Sequence, residues 1–177
     1  FKEIGDTNKA ISNFQTAVEQ DPRATEAYMQ LGLLLAAQGD SLAVKYYKNA
    51  LEFNPENTQA LYNIAMFYQQ KEQYERAKTQ YTSIIASQPG FEKAYYNLGY
   101  IYLQQDSLQK AKKHFELATK FDPAYVDAYY MQGLIAEMVG DDETAAYFYG
   151  QTLNLNAEYA RATEGLFRLN KKKKEAQ

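Results

Sequence analysis

The sequence predicts an all-α protein built as a stack of antiparallel helix hairpins, and three observations carry that prediction. The four prolines, Pro22, Pro55, Pro89 and Pro123, are spaced by 33, 34 and 34 residues, a fixed period that marks an array of one supersecondary unit. Between prolines, apolar residues recur twice at helical spacing, as in Tyr28, Leu31, Gly32 and Leu35 and then Ala43, Tyr47 and Ala50. Each period therefore holds two helices. Aligned periods also sort residues by size. The first helix gives the columns Tyr28/Leu61/Tyr95/Tyr129, Leu31/Ile64/Leu98/Gln132 and Gly32/Ala65/Gly99/Gly133. The second gives Ala10/Ala43/Ala77/Ala111/Ala145, Phe14/Tyr47/Tyr81/Phe115/Tyr149 and Ala17/Ala50/Ile84/Ala118/Thr152. Antiparallel helices approach closely where one offers Gly or Ala and the other supplies an aromatic ring to fill the space beside it.

In chain order, residues 1–24 form a partial first repeat. Phe1 to Glu19 reads as the end of a first helix followed by a complete second helix, so the sequence begins inside a unit. Without an upstream neighbour, that second helix would expose apolar residues such as Ile11 and Phe14 unless something else covers them. Full repeats follow at 25–57, 58–91, 92–125 and 126–159, for ten or eleven helices in all. The hairpin turn at Gln38-Gly39-Asp40-Ser41 has one residue fewer than the others. Leu35 precedes Ala43 by eight residues, whereas Tyr68, Tyr102 and Ala136 precede Ala77, Ala111 and Ala145 by nine. A turn is expected to absorb the deletion more readily than a helix. The repeat at 126–159 is expected to be the weakest internal one, because Gln132 and Ala136 stand where other repeats place larger apolar side chains. Residues 160–177 read as a terminal solvating helix with a lysine-rich tail. Phe167 occupies the small column there and would collide with a following second helix, and Lys171 to Lys174 suit the negative end of the helix dipole.

The residues from Ala94 to Tyr102 (Ala-Tyr-Tyr-Asn-Leu-Gly-Tyr-Ile-Tyr), followed by Ala111, Phe115, Ala118 and Asp122-Pro123, resemble a tetratricopeptide repeat, and the same columns run over essentially residues 1–170. That resemblance implies a right-handed superhelix of hairpins without chemistry of its own, holding a peptide or partner segment on the concave face made by the first helices.

Composition points away from catalysis. There is no Cys and one His, His114, so disulfides, thiol chemistry and zinc sites using two or more His or Cys ligands are excluded. No glycine-rich phosphate loop joins a strand to a helix. Asp141-Asp142-Glu143 fits a helix cap better than a cation site, and no cofactor or metal is expected. With 19 Lys and Arg against 22 Asp and Glu, the net charge of −3 offers no basic field for a nucleic acid. The longest apolar run, Leu31 to Ala37, is too short to cross a bilayer. Location stays open between the cytoplasm and, if an upstream segment carries a signal, a bacterial periplasm or envelope.

The expected partner is a protein or peptide segment. First-helix residues between the packing columns form an aromatic and methionine stripe: Met29, Gln30 and Leu33, then Tyr62, Asn63 and Met66. It continues with Lys93, Tyr96, Asn97 and Tyr100, and ends with Tyr130, Met131 and Leu134. Tyrosine and methionine give adaptable contact area, and asparagine amides can pair with an extended backbone. Family members that clamp a peptide's C-terminal carboxylate use Lys, Asn and Arg on three first helices. Asn63 and Lys93 match that pattern, but Glu26, Gln30 and Asn97 replace Lys, Asn and Arg, which leaves the clamp incomplete. Asn63 and Asn97 also resemble an asparagine ladder that Gln30 and Met131 interrupt. Two other readings remain at this stage: an architectural module that self-associates through an open N-terminal edge, and the recognition arm of a larger protein or enzyme.

Overall fold

The computed structural model of the chain describes residues 2–175, with side chains from Asp6 onward. Among the described residues there are ten helices and no strand: α1 Lys2–Gln20, α2 Thr25–Ala37, α3 Leu42–Phe53, α4 Thr58–Gln70, α5 Tyr74–Ser87, α6 Glu92–Gln104, α7 Leu108–Phe121, α8 Val126–Met138, α9 Asp142–Leu155 and α10 Ala160–Glu175. They fall into two compact units, Phe1–Pro89 and Gly90–Gln177.

In the first unit α2 pairs with α3 and α4 with α5. The core gathers Met29, Leu35, Ala43, Tyr47, Ala50, Ala60, Ile64 and Phe67. Tyr47 and Tyr81 are almost wholly buried, and a Cβ on Gly32 would collide with the Tyr47 ring, so the small column of α2 is what admits the ring of α3. The second unit repeats the device. A Cβ on Gly99 would lie 2.9 Å from the Phe115 ring, and one on Gly133 would lie 2.8 Å from Tyr149.

Each hairpin turns on one residue in the left-handed region: Gly39 (φ 72°), Glu72 (56°), Asp106 (53°) and Gly140 (80°). The next backbone N–H in each case donates to a carbonyl five residues earlier: Asp40 to Leu35 (2.9 Å), Gln73 to Tyr68 (2.8 Å), Ser107 to Tyr102 (2.8 Å) and Asp141 to Ala136 (2.9 Å). This Schellman closure satisfies the last carbonyls of the first helix. The prolines follow the other helix ends, where Asp21 and Asp122 side chains accept from the N–H two residues on, both at 2.9 Å.

Several expectations need correction. No turn separates a first helix from a second near the start: α1 is helical through Gly5, although Gly5 stands in the column of Gly39, Glu72, Asp106 and Gly140. Phe1 lies outside the described residues. Ile11 and Phe14 are half-buried, not fully exposed. The deleted residue in the first complete hairpin is not taken up by the turn alone. Gly39 keeps its left-handed conformation, and α3 is 12 residues long against 14 for α5, α7 and α9. The Schellman geometry is the less deformable part, so α3 begins two residues later relative to its column alanine, at Leu42 before Ala43, than α5 does at Tyr74 before Ala77.

Gln132 is buried, and its Nε2 donates to Thr119 Oγ1 at 3.2 Å and to the Ala128 carbonyl at 3.4 Å. A polar residue in an apolar column thereby keeps its donor satisfied. Asp141 caps α9, its side chain accepting from the Thr144 N–H at 3.1 Å, and hydrogen bonding from the Thr144 side chain, with that backbone bond, lowers its carboxyl pKa. Helix α10 buries Ala162, Gly165 and Leu169 while Phe167 stays 71% exposed.

Polar contacts also anchor α10. Glu137 on α8 accepts from Arg168 Nε and Nη2, both at 2.8 Å, and from the Tyr149 hydroxyl at 2.5 Å, and Lys172 pairs with Asp142 at 2.8 Å. The Arg168 hydrogen bond holds the Glu137 carboxyl below its ordinary range. A depressed folded-state carboxylate pKa contributes stability above the unfolded value of about 4.3 and loses it as pH falls through the folded value. Glu137→Gln should therefore melt below the parent at neutral pH, with the difference closing as pH falls below the unfolded carboxylate value and through the lower folded one. A gap unchanged with pH would assign the loss to packing instead of charge.

Candidate functional site

The first helices of each unit present the stripe residues, and the structure divides them into exposed and buried sets. In the first unit Leu33 (44% exposed) and Met66 (40%) stand at the surface, with Gln30, Tyr62 and Asn63 half-buried. Tyr62 packs its ring 6.0 Å from Tyr81. The Tyr81 hydroxyl donates to Gln69 Oε1 at 2.8 Å and also approaches Met66 Sδ at 3.2 Å. Gln30 donates to Glu26 at 2.6 Å and Gln59 to Asn63 at 2.7 Å, so these amides are held along their own helices.

In the second unit Lys93 is exposed, and Tyr96, Tyr100, Tyr130 and Leu134 are half-buried against a core of Ala111, Phe115, Met131 and Ile135. The Tyr96 ring lies 5.4 Å from Phe115, and the Tyr130 ring lies 5.8 Å from Tyr149. Two tyrosines outside the predicted stripe extend it. Tyr125 stands 5.0 Å from Tyr96, and Tyr159 stands 5.2 Å from Tyr130. Their 34-residue separation is visible in the sequence, but both precede a helix and fall outside a search confined to helix faces. The Tyr159 hydroxyl donates to Asp127 at 2.8 Å, and burial, reinforced by that carboxylate, pushes its pKa up. Asp127 and Glu137 are thus engaged within the fold.

Met29, Asn97 and Met131 do not belong to the surface stripe: they are 6%, 6% and 7% exposed. For Met131 the reason is geometric. Positions 63, 131 and 165 each follow a large second-helix aromatic by 16 residues and meet that ring from the next first helix. Met131 packs in the cluster of Phe115, and a Cβ on Gly165 would collide with Tyr149. Tyr47 is pushed up to about 12 by burial, against an opposing pull from the Asn63 amide. Asn97 donates to the Lys93 carbonyl at 2.8 Å. The asparagine ladder read from the sequence is therefore covered by packing at Asn97 and Met131, while Asn63 keeps partial access.

Models of the tetratricopeptide repeat match residues 1–41, 46–79 and 92–125, together more than half of the chain. The chain belongs to the tetratricopeptide repeat family. Among curated proteins, this tetratricopeptide repeat chain is 29% identical over 86 residues to Superkiller complex protein 3 of Homo sapiens, covering 48% of the chain and 6% of that relative. It thus spans a small fraction of the length of the curated relative it matches. Among solved structures it resembles MamA, with a TM-score of 0.77 at 22% identity over 90% of this chain and 94% of that one. It also resembles YrrB, described as a TPR protein with an unusual peptide-binding site, with a TM-score of 0.71 at 19% identity over 92% and 84% of the two chains. At these identities the structural likeness concerns the fold. Among the described residues no helix is long and apolar enough to cross a membrane, and no group of three His, Cys, Asp or Glu could hold a metal ion.

Proposed function

We propose that this chain is a non-catalytic interaction scaffold that holds an extended or helical segment of a partner protein on its first-helix faces. The observation that carries the reading is the tyrosine set of the second unit, Tyr96 with Tyr125 and Tyr130 with Tyr159. Both pairs have ring centroids within 5.2 Å and leave part of each ring accessible. Paired, half-buried tyrosines are already ordered, so a ligand covering them gains aromatic contact area with little further loss of side-chain freedom. Tyr100 and Leu134 extend this patch, and Lys93 adds a charge at its edge. In the first unit Leu33, Tyr62 and Met66 offer a smaller patch of the same character, with Gln30 supplying an amide. The peptide-binding site attributed to YrrB is consistent with this use of the fold.

The test is affinity capture from the source cell, comparing the parent with a Tyr62→Ala, Tyr96→Ala, Tyr100→Ala variant that keeps its helical circular dichroism. Loss of one reproducible protein partner is expected. Because Tyr96 packs on Phe115, a Leu33→Asp, Lys93→Glu variant serves as a second probe confined to exposed side chains. Retention of every partner by both variants would remove the first-helix faces as the binding surface.

A further inference from the structure

A separate cleft of about 510 Å³ lies between α3 and α5 in the first unit, floored by Phe67 and Tyr68 of α4. Three cations line it, Lys45, Lys48 and Arg76, against one carboxylate, Glu52, in a chain whose net charge is −3. None of the three cations forms an ion pair among the described residues, and Lys48 does not pair with Glu52 despite their i,i+4 spacing. Lys45 and Lys48 are one turn apart on α3 and so share a face. The Arg76 guanidinium sits 5.6 Å from the centre of the Tyr68 ring and donates to Gln73 Oε1 at 3.0 Å, which fixes its plane while leaving further N–H donors. Asn49 and Gln73 add amides along the walls. The N-cap residues of both helices, Ser41 and Gln73, line the same cleft, and neither caps its helix with its side chain. The Asp40 carboxylate accepts from the Leu42 N–H at 2.9 Å and so offsets the α3 end.

The corresponding positions between α7 and α9 keep part of this composition and change the rest. Repeat alignment places Lys113 where α3 has Lys45, and Lys112 and Lys120 where it has Val44 and Glu52, but Glu116 where α3 has Lys48, Asp141 where α5 has Gln73, Thr144 where α5 has Arg76, and Ala136 where α4 has Tyr68. The second unit thus keeps lysines on this face but sets them against Glu116 and Asp141, and it lacks the arginine and the aromatic floor.

From this charge complementarity we infer that the α3/α5 cleft is a second docking site, which takes an acidic, extended protein segment. Its carboxylates meet Lys45, Lys48 and Arg76, and its backbone meets the amides of Asn49 and Gln73. A peptide suits the cleft better than a nucleic acid, because the cation cluster is confined to one cleft between two helices and does not continue as a basic track.

The experiment measures fluorescence anisotropy of a labelled oligopeptide of alternating Asp and Ser, with a Lys-Ser counterpart and a single-stranded oligonucleotide as comparisons. The acidic peptide should bind the parent with an affinity that falls as salt is raised. It should weaken about tenfold or more for Lys45→Glu, Lys48→Glu. It should bind unchanged to Lys112→Glu, Lys113→Glu, which places the same charge change on α7. The Tyr96→Ala, Tyr100→Ala variant should also bind it normally, so loss of the first-helix reading and loss of this one are separable. Lys45 and Lys48 are exposed, so their replacement leaves the fold intact, as a thermal melt would verify. The inference is overturned if the acidic peptide does not bind, if the α3 variant binds as the parent does, or if the oligonucleotide binds more tightly through the same lysines.

Discussion

Replacing Tyr149 with alanine is expected to lower the unfolding free energy by about 3–5 kcal/mol, the range for removing a large aromatic from a packed core. Its ring is fully buried and lies against two glycines from successive first helices, Gly133 and Gly165. Neither glycine has a side chain that could move in, so the cavity persists. The hydroxyl also donates to Glu137 at 2.5 Å, and Glu137 in turn receives Arg168, so the same change loosens the contact that fixes α10. Tyr149→Phe separates the two contributions, because it keeps the ring and loses only the hydrogen bond, at about 1 kcal/mol. Denaturant unfolding of both variants checks this. Equal losses would mean that the ring's packing contributes little.

The second large effect comes from filling the space instead of emptying it. Gly99→Leu should destabilise by about 1–3 kcal/mol through overpacking, since even the first added carbon would stand 2.9 Å from a fully buried Phe115. Ala111→Leu, at another fully buried small position, should behave likewise. Gly150→Ala provides the contrast within the same array: a Cβ there meets nothing within 4 Å, so the helix gains up to about 1 kcal/mol from the better helix former. Thermal melts that did not separate Gly99→Leu from Gly150→Ala would contradict the assigned facing of the small column.

Why the hairpins were legible and the site was less so follows from what each depends on. The facing of Gly32 on Tyr47 and Gly99 on Phe115 depends on residue size at a fixed repeat, which the aligned columns display directly. Membership of the binding stripe depends on which residues the neighbouring repeat covers. Met29, Asn97 and Met131 look like surface residues when one helix is considered alone; Met29 and Met131 are buried because a core from an adjacent helix reaches them, and Asn97 turns its amide back onto the Lys93 carbonyl. Tyr125 and Tyr159 were missed for the converse reason, since they reach the stripe from the connecting segments. The hairpin turns were half legible: Gly39 and Gly140 announce a left-handed residue, whereas Glu72 and Asp106 adopt it against their own preference, held by the closing hydrogen bonds around them.

Those turns also bear on how such an array tolerates insertion and deletion. Because the left-handed residue and the bond that follows it stay in place when a residue is lost between Gly39 and Ala43, the deletion shortens α3 and leaves Tyr47 seated on Gly32. Spacing along the stack is therefore metered by contacts between columns and not by the number of residues that joins them. A chain of this construction can drift in repeat length while its successive faces stay in phase, and substitutions on an exposed face can change without disturbing the layer beneath.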